Sequence, residues 1–193
     1  SEMHTDLSFV LRLDSTIHLQ YGELVHAWCE KIEWIDDGIP DNKTLKAIAR
    51  DKTPGISDEK ITALISEFRT WMDMDPIRNI LSRSAPPSDP DTFIKIENEL
   101  PFVRRTEDEI QEGFIDRVVL THRNRQVLQA EVLDFKTDNI DTTNQDILSA
   151  YTEYYRPQIT AYCKVIKEQY GLAEGDVSGK LVFLRSGTVM DVV

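Results

Sequence analysis

The sequence predicts an α/β fold. Apolar residues recur at helical spacing through the first two fifths of the chain, and from Ile94 the period shortens to two. The order that results is helices, three strands, one long helix and two closing strands. A length of 193 residues lets one domain bury its own core without disulfide staples.

Each element has its own signal. Leu24, Val25, Trp28, Cys29, Ile32 and Ile35 form a helical stripe over Gln20–Asp36, closed by Gly38 and Pro40. A short helix is expected over Asn42–Arg50. Pro54 and Gly55 break the chain, and Ser57 caps a helix whose face is Ile61, Leu64, Ile65, Phe68, Trp71 and Met72. Pro76–Ser82 adds a further turn or two. The prolines of Ser84–Pro90 predict a crossing loop. Glu112–Thr121 and Gln126–Phe135 read as strands of a hairpin turning at His122–Arg125. Helix resumes at Asp146 and runs past Pro157 to Tyr170, with Gly171 as its C-cap. Leu181–Leu184 and Thr188–Val193 form a closing hairpin around Ser186 and Gly187. The chain stops inside an apolar stretch, and we read it as a piece of a longer protein.

Charge narrows the function classes. Lys plus Arg number 22 against 34 Asp plus Glu, a net charge of -12. That argues against holding duplex DNA by bulk electrostatics and against an anionic membrane surface. Two distant cysteines, Cys29 and Cys163, sit in apolar helical patterns and read as buried thiols in a reducing compartment. Their number excludes a four-cysteine zinc or iron–sulfur site. No apolar run approaches the ~20 residues of a membrane span.

The informative anomaly lies in the hairpin. Strand alternation places Glu112, Phe114, Asp116, Val118 and Leu120 on one face, and Leu128, Ala130, Val132, Asp134 and Lys136 on one face of the next strand. Asp116 then sits among apolar residues, and an apolar series runs into Asp134 and Lys136. Charges so placed are paired or bind metal. Two converging carboxylates suit Mg2+ or Mn2+ better than zinc, and phosphoryl chemistry is typical of such sites. The bland alternative is that Asp134 and Lys136 mark a solvated strand end.

Gly113-Phe114-Ile115-Asp116 and Leu133-Asp134-Phe135-Lys136-Thr137 resemble the nuclease domain of RecB- and AddA-type helicase–nucleases, within the PD-(D/E)xK superfamily. Gly22–His26 resembles that family's early helix, Glu99–Phe102 its strand segment ahead of the first acid, Tyr155–Tyr162 its Gln/Tyr helix motif, and Leu181–Leu184 its last strand. The resemblance implies a restriction-endonuclease-like core, a mixed central sheet flanked by helices, with a helical N-terminal region. It implies one nuclease domain over 1–193, helical at about 20–82 and catalytic at about 92–193, near the C-terminus of a longer helicase–nuclease.

The resemblance also assigns roles. Asp116, Asp134 and Lys136 are catalytic; His26, Asp116, Asp134 and the Phe135 backbone carbonyl hold Mg2+, with Mn2+ as substitute; Gln158, Tyr162 and Tyr155 line the site; Glu99 is a further candidate. Each has a structural alternative. His26 lies just off the apolar stripe, as an edge-of-core histidine does; Tyr162 belongs to an apolar helix face; Gln158 can bond locally; Glu99 can be an exposed strand residue. Trp28 and Trp71 read as packing. Arg104, Arg105, Arg123 and Arg125 either touch phosphate or are solvated. The implied partner is a single-stranded DNA end delivered by a helicase motor, on the same polypeptide or with a second subunit, in the bacterial cytoplasm or nucleoid. No phosphate loop, iron–sulfur cysteines or membrane partner accompanies it. The rival readings are a free-standing nuclease in defence or DNA processing, and a silent DNA-binding or docking module.

Overall fold

A computed structural model describes residues 21–83, 89–105 and 110–193. The start of the first expected helix, at Gln20, and most of the Ser84–Pro90 loop lie outside the described residues, as does the side chain of Arg104. Helix α1 (residues 21–29) is followed by α2 (Asn42–Lys52), α3 (Asp58–Met72) and α4 (Asp75–Leu81). Then come β1 (Thr92–Arg105), β2 (Ile110–Arg123), β3 (Gln126–Lys136), α5 (Gln145–Tyr170), β4 (Val177–Phe183) and β5 (Thr188–Asp191).

The helix starts follow local chemistry. Asp41 accepts from the Thr44 N–H at 2.8 Å, Ser57 from Lys60 at 3.3 Å, and Asn144 from Asp146 at 3.1 Å. Gly171 closes α5 at φ 66°, a left-handed cap that costs glycine little. Helix α1 ends at residue 29, short of the expected Asp36, and Ile35–Asp37 forms a separate 3-10 turn. The intervening carbonyls are taken up by side chains from the sheet, described below.

The five strands lie in sequence order, all neighbours antiparallel except β3 and β4. That parallel pair needs a long crossover, and α5 supplies it. One face of the sheet buries Leu133, Phe135, Val182 and Leu184 against α1, α2, α3 and α4. On the other, Val132, Ala130 and Val177 pack against Ile159, Cys163 and Ile166 of α5. At about 1.5–3 kcal/mol for each fully buried large side chain, these two layers fix the sheet between them. Gly179 on β4 lets α5 approach, since a Cβ there would stand 2.7 Å from Cys163 Sγ.

Two irregularities correct the expected strand faces. A register shift at Thr121/His122 turns Leu128 outward, so Val127 takes the buried position. Phe114 is 58% exposed, whereas Ile115 is fully buried. The cause is a split in the sheet: the β2–β3 ladder runs to Arg117↔Leu133, and beyond it β2 stays paired with β1 alone as far as Ile110.

Candidate active site

The split in the sheet is where the acids meet. Asp116 stands at the fork and turns its carboxylate into the gap, where Oδ2 accepts the Phe135 N–H at 2.6 Å. Its Oδ1 meets His26 Nδ1 of α1 at 3.0 Å. Glu99 joins them from β1: one donor atom each of His26, Glu99 and Asp116 lies within 4.8 Å of the others. Glu99 holds φ 50°, a left-handed conformation costing a non-glycine residue roughly 1–2 kcal/mol.

Asp134 and Lys136, one step further along β3, form the other half. Asp134 is 2% exposed, so the solvated-strand-end alternative fails. Lys136 Nζ lies 2.8 Å from Asp134 Oδ2, donates to Gln158 Oε1 at 2.8 Å and sits 4.1 Å from the centroid of the Tyr155 ring. Gln158 donates onward to the Tyr162 hydroxyl at 2.9 Å, and Tyr155 donates to Asp138 at 3.0 Å. The spacing of four between Gln158 and Tyr162 thus works as a helix-face relay that aims the ammonium.

The two acids differ in their electrostatics. Burial raises the Asp116 carboxyl, but the His26 contact and the Phe135 amide outweigh it and hold it below its ordinary value. Asp134 is pushed up, first by burial and then by the neighbouring Asp116 charge, against the pull of Lys136. Burial lowers His26, yet the bond and charge of Asp116, with Asp134 and Glu99 behind, raise it overall. Glu99 is raised by burial and by Asp116.

A cleft of about 900 Å³ opens over this cluster, lined by His26, Glu99, Phe114, Phe135, Lys136 and Tyr155 among others. The structure therefore brings together His26, Glu99, Asp116, Asp134, Phe135 and Lys136, with Tyr155 in the wall and Gln158 and Tyr162 behind the lysine. Other candidates do not converge there. Trp28 is buried, donating to the Leu45 carbonyl at 3.0 Å, and Trp71 is buried in the same core. Arg123 pairs with Asp89 at the hairpin tip, seven strand residues from Asp116, or roughly 23 Å.

The donor set fits a divalent cation. Carboxylate oxygens with one imidazole suit Mg2+ or Mn2+. Asp134 Oδ2 is buried, and the Lys136 ammonium reaches it at 2.8 Å in poor hydrogen-bond alignment. Like charges crowded in a buried fork are the arrangement a cation relieves.

The fork, the cleft and the mixed sheet agree with a family-level match: residues 6–191 fit the PD-(D/E)XK nuclease superfamily. The chain belongs to that superfamily, whose members are generally metal-dependent nucleases acting here by implication on DNA. A search of curated proteins finds no significant match. Among the described residues no helix is long and apolar enough to cross a membrane.

Proposed function

We propose that the chain is the nuclease domain of a RecB/AddA-like helicase–exonuclease, hydrolysing DNA phosphodiesters with Mg2+ in double-strand-break repair and recombination. The observation that carries this reading is the convergence of His26, Glu99 and Asp116 beside the Asp134–Lys136 pair, inside segments that resemble that family. Chain 1–193 is then one catalytic domain of a longer polypeptide, working in the bacterial cytoplasm or nucleoid on a single-stranded end fed by the motor. With two buried, separated cysteines, these residues offer no iron–sulfur ligand set.

His26, Asp116, Asp134 and the Phe135 carbonyl would hold the cation, with Glu99 as an additional ligand. When bound, Mg2+ or Mn2+ supplies charge neutralisation at the phosphate and acidifies water. The remaining roles belong to the protein. Lys136 presents its ammonium to negative charge developing on the scissile phosphate, the contribution of a preorganised donor. Gln158, held by Tyr162, fixes the direction of that ammonium. The Tyr155 ring faces that ammonium in a cation–π contact and helps to hold it. The His26 contact and the Phe135 amide favour the ionised form of Asp116.

The test is cleavage of linear and circular single strands, and of duplex DNA, with Mg2+, Mn2+ or EDTA. Linear single strands should be degraded with either metal and spared in EDTA, and circles should persist. Asp116→Ala and Lys136→Ala should lose this activity while folding normally. Undiminished metal-dependent cleavage by either variant sinks the assignment, and equal cleavage of circles sinks its exonuclease part.

A further inference from the structure

Beside the acidic cluster stands a buried cation that the chemistry above leaves unused. Arg117 is 1% exposed, and among the described residues it makes no ion pair. A guanidinium is costly to bury unless its donors are satisfied. Here backbone carbonyls take its two terminal nitrogens, leaving Nε buried without a hydrogen-bond partner: Nη1 donates to Ile32 O at 2.8 Å and Nη2 to Glu33 O at 2.5 Å. Nη1 also donates to Asn98 Oδ1 at 3.2 Å. The Asn98 amide donates in turn to Glu30 O at 3.0 Å and to Ile32 O at 3.1 Å. The Trp34 ring stacks over the guanidinium with its centroid 5.6 Å away.

All three carbonyls belong to the turn that directly follows α1, whose own last carbonyls accept from Glu30, Lys31 and Ile32. His26 lies one turn upstream, and its carbonyl accepts the Glu30 N–H at 2.9 Å. A movement of the helix end therefore moves His26.

Asn98 and Arg117 are register partners on β1 and β2. Glu99 and Asp116 are the next residues along. Alternation would send neighbours to opposite faces. Both pairs nevertheless reach α1, Asn98 and Arg117 at its end and Glu99 and Asp116 at His26. The left-handed Glu99 and the departure of β2 from β3 at Arg117 make this possible. A charge buried at some cost is spent on holding one helix end against the ribbon that carries the acids.

We propose that Arg117 and Asn98 are positioning residues: a clamp that fixes the spacing between His26 and the Glu99–Asp116 pair and thereby sets the affinity of the divalent-cation site. This rests on the metal reading above, and the experiment separates the two. Mn2+ binding is measured by titration calorimetry on the wild-type chain, Asn98→Ala and Arg117→Lys, with melting temperatures taken in EDTA and Mn2+ activation curves for cleavage. Arg117→Lys threatens the fold, so Asn98→Ala decides, because it leaves Arg117 on the Ile32 and Glu33 carbonyls. The expected result is a Mn2+ Kd raised about 10-fold, as for other residues that orient ligands. The half-activating Mn2+ should rise equally, kcat at saturating Mn2+ should be retained, and the melting temperature in EDTA should stay near wild type. A purely structural role predicts the reverse, a lower melting temperature with Kd unmoved, and overturns the clamp. So does a fall in kcat at unchanged half-activating Mn2+. A wild-type chain with no site-specific Mn2+ heat overturns the metal reading and the clamp with it.

Discussion

The site is built in two halves that meet at the fork, and they are held differently. On one side Asp116 is fully engaged: a helix histidine and a strand amide both face its carboxylate, and its proton affinity is lowered. On the other side Asp134 keeps a buried oxygen without an aligned donor, and its proton affinity is raised. The first half is preorganised by the α1 face of the sheet. The second is organised by α5, through Lys136, Gln158 and Tyr162. The difference teaches that one acid is positioned as an anion in advance, whereas the other becomes favourable as an anion when more positive charge arrives.

Asp116→Ala should break the comparison outright, because it removes an acid and the anchor of His26 together. Cleavage should fall by ~10³-fold or more, beyond the range of a single lost donor, and the calorimetric Mn2+ heat should vanish. Lys136→Ala touches only the other half: steady-state kcat should drop by ~10²–10³-fold while Mn2+ binding persists. Loss of Mn2+ binding in that variant would show that the halves are not separable. Gln158→Ala leaves the ammonium in place but unaimed, and kcat should fall about 10-fold with unchanged melting temperature. Gly179→Ala tests the α5 half at a distance. Its Cβ would collide with Cys163 and Ile159, so chemical denaturation should report a loss of about 1–3 kcal/mol with little change in kcat below the transition.

The remaining effect is a pH slope, and it has opposite signs in the two halves. Asp134 is raised to about 7 in the folded chain, so between the unfolded carboxyl value and pH 7 the native state holds more protons than the unfolded one. In EDTA its contribution to stability therefore falls as pH rises through that window. Asp116, being lowered, contributes stability present above the unfolded value and lost as pH falls through its folded value. Asp134→Asn should flatten the decline on the neutral side, measured by urea midpoints across pH 4–7. A midpoint profile identical to wild type would remove Asp134 as its source.

Much of this was legible in the sequence because it depends on local pattern. An acid inside the run Ile115–Leu120, and an acid and a lysine closing the run before Thr137, announce a charged site at a strand end. Caps and periods locate α2, α3, α5 and the hairpin within a residue or two. What escaped is non-local or conformational. The bulge that expels Leu128 depends on pairing register, and the outward Phe114 on where two strands part company. The resemblance names Glu99 as a candidate, but the left-handed backbone that brings it into the cluster is not advertised by its residue type. Arg117 carried a readable signal, a second charge in the same apolar run, but its partners are carbonyls 84 and 85 positions away. The early end of α1 has the same origin, since those carbonyls are bound by the sheet.

The His26–Asp116 contact joins residues 90 positions apart. Chain closure over such a distance is entropically expensive and comes after local hairpins and helices have formed. The hairpin of β2 and β3, which carries both aspartates and the lysine, can assemble early, while the docking of α1 completes the site late. Undocking α1 would expose Leu24, Val25 and Trp28 yet leave the β2–β3 ladder paired, so the site can open while the sheet persists. On gentle heating, competence for chemistry should disappear at a lower temperature than the β-sheet signal, and return on cooling as long as the sheet has stayed intact.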